Sequence, residues 1–175
     1  MVTVTISGTP GSGKTTVGKL LADKLGLEYV YSGLIFRKMA EKYKMSLEEF
    51  GSYAEKHREI DQELDDFQLT ALRKGNIVIE GRITGWIAFR NKIPSIKVLI
   101  DANLETRAGR IVKRERGSIE KRKKEILKRE KSEAIRYKNY YNINLNDTSI
   151  YDVVIDSSNK TPEEITKIIL NKIQK

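Results

Sequence analysis

The chain predicts a three-layer α/β/α sandwich around a five-stranded parallel sheet, and three observations carry that expectation. Five short β-branched or apolar segments, at residues 2–7, 28–31, 76–80, 96–101 and 152–155, alternate with longer stretches of helical periodicity. Strands separated by helices pair in parallel through right-handed crossovers. A glycine-rich loop joins the first strand to the first helix, and helix-start signatures stand before two later helices. With 175 residues the chain is long enough for one substantial core and short for two, so residues 1–175 read as a single domain.

Val2-Thr3-Val4-Thr5-Ile6 is short and β-branched, as a buried strand should be. After the glycine loop, Val17, Leu20, Leu21 and Leu25 keep helical spacing until Gly26 ends the run. Residues 38–74 separate the second and third strands by far more than the roughly dozen residues of a compact crossover. They are expected to hold two or three short helices as an inserted substrate lobe, and Ser46 with Glu49 forms a capping box inside it. Gly117-Ser118 divides a later helical run and supplies a hinge and an N-cap. Thr161-Pro162 with Glu164 opens the last helix, where Ile165, Ile168, Ile169 and Ile173 make the buried stripe.

Gly8-Thr9-Pro10-Gly11-Ser12-Gly13-Lys14-Thr15 fits G-x-x-x-x-G-K-[ST], a loop that wraps the phosphates of a nucleoside triphosphate. Its glycines let consecutive N–H groups turn inward on an anion, Lys14 reaches the β and γ phosphates, and the Thr15 hydroxyl faces Mg²⁺. The helix that begins here adds its partial positive charge to the same place. Gly8 to Gly13, Lys14, Thr15 and Thr16 are therefore the expected ATP site. Glu80 follows the apolar run Ile77-Val78-Ile79, so it emerges beside the loop, where an acid can hold a water on Mg²⁺. An ion pair between Glu80 and Arg82 is the competing reading.

Composition excludes several classes. There is no cysteine, hence no disulfide framework and no thiolate metal site, and no apolar run approaches membrane-spanning length. The chain opens on its first strand, and the expectation is a cytoplasmic protein without a membrane partner. The net charge of +9 is concentrated: residues 107–138 hold 14 Lys and Arg against 5 Asp and Glu, and the remainder holds 19 of each sign. Such a run suits a solvated helix face, a nucleic-acid surface, or a cluster that closes over polyphosphate. The phosphate loop favours the third. Arg110 and Arg114 lie one turn apart, and Arg129 and Arg136 two turns apart, each pair on a common face.

The chain resembles the nucleoside monophosphate kinases, and within them the archaeal type of cytidylate kinase. The resemblance rests on Gly8 to Thr16, on Tyr31-Ser32-Gly33-Leu34-Ile35-Phe36-Arg37, and on Ile79-Glu80-Gly81-Arg82. It rests also on the arginines from Arg129 to Arg136 and on Tyr151-Asp152-Val153-Val154-Ile155-Asp156-Ser157-Ser158. It implies a P-loop kinase in which residues 107–138 form a mobile basic lid. Ser32, Arg37 and Arg82 would hold the acceptor nucleoside monophosphate, while Arg129 and Arg136 would close on the transferring phosphoryl group with Lys14. Arg110 and Arg114 would flank the donor nucleotide, and residues 121–124 would be solvent-facing lid charges. Related kinases often carry Asp where this chain has Glu80, so its contact with Mg²⁺ is expected through water.

Among Asp61, Asp65 and Asp66 in the inserted lobe, Asp65 is the candidate to accept a hydrogen bond from the cytosine amino group, against the alternative of a solvated helix face. His57 and Trp86 read as a surface residue and a packing residue. The implied reaction is ATP-dependent phosphorylation of CMP, with dCMP as a second acceptor. The alternatives are AMP, UMP or a hydroxylated metabolite as acceptor, and an RNA-binding nucleotide switch. No N-K-x-D guanine-reading motif is present, and no stable nucleic-acid partner is expected. Nothing in the sequence speaks to oligomeric state.

Overall fold

Five strands form the sheet: β1 (Val4–Ser7), β2 (Glu28–Tyr31), β3 (Ile77–Glu80), β4 (Ile96–Asp101) and β5 (Val153–Asp156). The computed structural model describes residues 2–174. The strands lie in the order β2-β3-β1-β4-β5, all parallel, with Ile6 level with Glu80 on one side and Val98 on the other. Helices α1 (Lys14–Leu25), α2 (Ser32–Lys42), α3 (Leu47–Ala54) and α4 (Arg58–Lys74) connect the first three strands. The rest are α5 (Thr84–Arg90), α6 (Leu104–Glu115), α7 (Ile119–Tyr141) and α8 (Pro162–Ile173).

Alternation along the strands feeds two cores. Val4, Ile6, Val78, Val98 and Ile100 face α1 and α8, meeting Val17, Leu21, Ile165 and Ile169. Ile77 and Ile79 point the other way and pack with Leu72, Trp86, Ile87 and Ile143, which places Trp86 in the core as expected. The sandwich thus follows from period-two strands between helices that each present an apolar stripe. All strands run the same way, so their carboxyl ends share one edge, and β1 lies between neighbours whose connections diverge. A crevice opens at such a switch point.

Neither the inserted lobe nor the basic stretch stands apart from the body. The inserted region is continuous with the body: α2 starts at Ser32 directly after β2, and α4 runs for 17 residues, carrying Leu72 into the sheet core at its far end. Phe36, Met39, Ala40, Phe50, Ala54, Ile60 and Leu64 form a small core of the lobe's own. The basic stretch is two helices divided at Gly117-Ser118, where the sequence placed the break. Ala108 and Ile111 of α6 meet Ile126 of α7, and Arg107, Glu133 and Arg136 are buried. Carboxylate partners distant in sequence, Glu130 for Arg107 and Asp61 for Arg136, hold two of its arginines inward.

Both capping boxes form, at Ser46 and Glu49 and at Thr161 and Glu164, and Ser118 caps α7. Gly8 is constrained differently. It has φ 147°, and a Cβ there would stand 1.9 Å from the Ile100 carbonyl oxygen of the neighbouring strand. Backbone strain and a collision with backbone cannot both be relieved by a side-chain shift. Thr161→Ala should therefore cost about 1 kcal/mol of stability, whereas Gly8→Ala should cost more than about 2 kcal/mol. Urea unfolding of the two variants measures this, and equal midpoints would contradict the packing described for Gly8.

Candidate active site

The glycine loop turns β1 into α1, with Gly13 at φ 93° as the N-cap. Lys14 is buried at the bottom of the turn, where its Nζ donates to the Thr9 carbonyl at 2.7 Å. Burial, and then the positive charge of Arg82, pull its pKa down to about 7, while Glu80 and Glu133 oppose the fall. A polyphosphate in the loop would reverse that balance. The loop is braced from behind: Ser157 Oγ donates to the Ser12 carbonyl at 2.8 Å, and Arg110 donates to the Ser12 carbonyl at 3.2 Å and the Ser157 carbonyl at 2.7 Å. Arg107 holds Glu130 and the Ala102 carbonyl. Gly8 and Thr9 lie behind the phosphate face, with Thr9 Oγ1 bonded to Asp101.

Thr15 Oγ1 donates to Glu80 Oε1 at 2.7 Å, and Glu80 Oε2 is buried without a hydrogen-bond partner. The competing Glu80–Arg82 pair does not form, since Arg82 is held by Glu133 instead. Among the described residues no cluster of three His, Cys, Asp or Glu could cage a metal. One hydroxyl and one spare carboxylate oxygen fit Mg²⁺, which keeps several waters and takes further oxygens from phosphates.

Beyond the loop, cations converge on two carboxylates. Arg82 Nε sits 2.8 Å from Glu133 Oε2, Arg129 Nε sits 2.9 Å from Glu133 Oε1, and Arg82 also donates to the Gly8 carbonyl at 3.2 Å. Burial works against the charge on Glu133, but Arg82 and Arg129 overturn it and hold the carboxyl at about 2. Arg136 pairs with Asp61 at 2.7 Å, both almost wholly buried, and its guanidinium lies 5.4 Å from the Phe36 ring centroid. Arg37 faces the same space with no carboxylate partner among the described residues.

These groups line one cavity of about 1110 Å³, at the upper end for a small-molecule site and roomy enough for two nucleotides. Gly11 to Thr16, Arg110, Lys160 and Pro162 line it on the loop side; Ser32, Phe36, Arg37, Leu64, Gln68 and Arg82 line it on the lobe side, where Arg136 lies over Phe36, and Arg129 lines it beside Glu133. Arg114 reaches only the rim, exposed and bonded to Glu115 at 3.0 Å. Lys123 is paired with Glu105. His57 stacks on Tyr53 and bonds Glu59, away from the cavity.

Asp65 is a correction. It does not line the cavity; its carboxylate points to the back of Gln68, and Gln68 occupies the cavity face. Asp61 is spent on Arg136. Asp61, Leu64, Asp65 and Gln68 share one stripe of α4; along it Asp61 meets Arg136, Leu64 and Gln68 line the cavity, and Asp65 stands against the Gln68 amide. Sequence reasoning also missed Glu133 and Asp61 as counter-ions: Glu133 joins Arg129 four residues away to Arg82 51 residues away, and Asp61 meets Arg136 75 residues away. Gly81 marks a crowded polar site in the structure: a Cβ there would lie 2.3 Å from Thr84 Oγ1 and 2.7 Å from Gln68 Oε1.

Comparison with known proteins bears on the assignment. The chain is 46% identical over 166 residues to a protein of Pyrococcus horikoshii named cytidylate kinase, covering 95% of this chain and 85% of that one. It is 45% identical over 171 residues to the cytidylate kinase of Methanocaldococcus jannaschii, covering 97% and 96%. A shikimate kinase structure from Bacteroides thetaiotaomicron superposes with a TM-score of 0.65 at 14% identity over 99% of both chains, which shows the shared P-loop kinase fold. The model of the cytidylate kinase-like family matches residues 3–159. The chain belongs to the cytidylate kinase-like family.

Proposed function

We propose that the protein transfers the γ-phosphoryl group of ATP to CMP, and also to dCMP, releasing ADP and the nucleoside diphosphate. The observation that carries the reading is the clustering of Lys14, Arg82 and Arg129 on one cavity around Glu133: beside the larger effect of burial, Arg82 and Arg129 lower the proton affinity of Lys14 and Arg82 lowers that of Arg129. Such a cluster suits the migrating group. An oxygen of the acceptor phosphate bonds to the γ-phosphorus as the bridging bond to the β-phosphate breaks, and the electron pair leaves with ADP. Little covalent chemistry falls to the protein, so positioning and charge stabilisation do the catalysis.

In this reading the loop amides and Lys14 hold the β and γ phosphates, and Ser32, Arg37 and Arg82 hold the acceptor phosphate. Mg²⁺, held through Thr15 and water on Glu80, would supply neutralisation of the oxygens between the β and γ positions. Arg129 clamps the transferring group. Arg136 lends a second guanidinium while one of its arms stays on Asp61. The helical lobe of residues 38–74 and helices α6 and α7 belong to one catalytic domain with the sheet.

An ADP-release assay with CMP, dCMP, UMP, AMP, GMP and dTMP tests the reading. CMP should give the highest kcat/KM, and Lys14→Ala should abolish transfer while leaving the fold intact. Turnover of AMP or dTMP tenfold above CMP would overturn the acceptor, and near-normal turnover by Lys14→Ala would overturn the kinase.

Arg129→Lys should lower kcat by on the order of a hundredfold, because a point charge cannot replace a planar fork. Lys124→Ala, exposed on α7, should leave kcat within about twofold and alter mainly the salt dependence of nucleotide association. Steady-state kinetics at two salt concentrations separate the cases; equal losses would mean a diffuse electrostatic surface.

The depressed Lys14 also makes nucleotide binding proton-linked. Above about 7 the free protein holds a largely neutral lysine, and phosphate oxygens beside it favour the charged form. ATP binding at about pH 8 should therefore take up close to one proton. Calorimetry in buffers of different ionisation enthalpy reads the uptake, and Lys14→Ala should remove it.

A further inference from the structure

Gln68 is nearly inaccessible to solvent, yet it lies on the cavity face of α4, and both ends of its amide are engaged. Its Nε2 donates to Asp65 Oδ1 at 3.2 Å, and its Oε1 accepts from Thr84 Oγ1 at 2.7 Å. A side-chain amide alone can turn over, exchanging donor for acceptor. An ionised carboxylate only accepts, so Asp65 keeps the nitrogen on its own side and leaves the oxygen to Thr84. The missing side chain of Gly81 gives the pair room. Beside the amide, Ser32 Oγ is buried without a hydrogen-bond partner, and Phe36 and Leu64 form apolar walls.

We propose that Gln68 reads the acceptor base, and that Asp65 and Thr84 are positioning residues that fix which way its amide faces. This rests on the reading of the cavity as an acceptor-nucleotide site. The spare lone pair on Oε1 accepts from an exocyclic amino group while the spare N–H of Nε2 donates to the adjacent ring nitrogen. Cytosine offers that pattern. Uracil offers a carbonyl and a ring N–H, so it would need the amide reversed, with its oxygen set against the Asp65 carboxylate. Such an acceptor–acceptor clash rejects the wrong base as well as favouring the right one. The device separates amino from oxo bases and leaves size to Phe36 and Leu64.

The lock depends on the charge of Asp65. Burial, then Asp61 and Asp66 on the same helix, push that carboxyl up to about 7, while Tyr141 and Arg136 of α7 resist. Tyr137 of α7 is the other titratable group near it. A protonated Asp65 can donate to the amide oxygen, so the preference for cytosine should strengthen as pH rises through about 7.

The test measures kcat/KM for CMP and UMP at about pH 6 and 8 in the wild type, Gln68→Leu, Asp65→Asn and Thr84→Val. Gln68→Leu should lower the CMP value by roughly a hundredfold and the UMP value by less than about fivefold. Asp65→Asn and Thr84→Val should shrink the CMP preference about tenfold, mainly through a lower KM for UMP, and Asp65→Asn should abolish its pH dependence. Thermal melts check that the variants fold, and Thr84→Val tests the lock should Gln68→Leu not fold. Equal losses for CMP and UMP in every folded variant, at unchanged preference, would overturn the proposal. If the wild type phosphorylates neither nucleotide, the kinase reading fails separately. Calorimetric Kd values for CMP and UMP then decide: equal values overturn base reading, and a CMP preference reduced in Asp65→Asn and Thr84→Val sustains it.

Discussion

The structure depends on two buried carboxylates that let several cations crowd one cavity. Lys14, Arg37, Arg82, Arg129 and Arg136 would repel one another and lose hydration at such separations. Glu133 answers two of them and Asp61 a third, each through direct contact. A buried ion pair is weak evidence of net stability, but removing one partner typically costs about 3–5 kcal/mol because the other is left uncompensated. The carboxylates therefore act as internal counter-ions that hold the guanidinium groups at the cavity. The rest of the fold serves that arrangement: parallel strands bring the loop, Glu80 and Arg82 to one edge, and α7 carries Arg129, Glu133 and Arg136 across it.

Much of this was legible in the chain. Strand segments, the glycine loop and both capping boxes are local signals, set by residues a few positions apart, and each appears where local chemistry places it. The convergence of Ser32, Arg37, Arg82, Arg129 and Arg136 on one cavity followed from the family resemblance, and the geometry brings them together. What was not legible is which side of a helix faces inward when both sides are polar. On α4 the acids at Asp61 and Asp65 and the amide at Gln68 are all hydrophilic, so periodicity cannot rank them. Only packing against α5 and α7 turns Gln68 toward the cavity and leaves Asp65 behind it.

The basic stretch makes the same point about charge. Counted along the chain it is a uniform surplus, but in space it divides by function. Arg107 and Arg110 brace the loop, Arg129 and Arg136 enter the cavity, Arg122 and Lys123 are neutralised by Glu125 and Glu105, and Arg114 and Lys124 remain exposed. A surplus built this way supplies local potential at one place rather than a broad field.

Helix α7 touches both halves of the molecule. Glu130 is tied to Arg107 beside the phosphate loop, and six residues further along Arg136 is tied to Asp61 in the lobe, with Ser132 and Tyr140 bonded to the Gly51 and Glu55 carbonyls. At 1.5 Å per residue those two anchor points stand about 9 Å apart along the axis. The helix is thus a spacer of fixed length between the phosphate-loop side of the cavity and its lobe side. Losing or gaining one residue between the anchors would turn one end by about 100° relative to the other and unhook it. Substitutions can drift along this helix, but its length between Glu130 and Arg136 cannot.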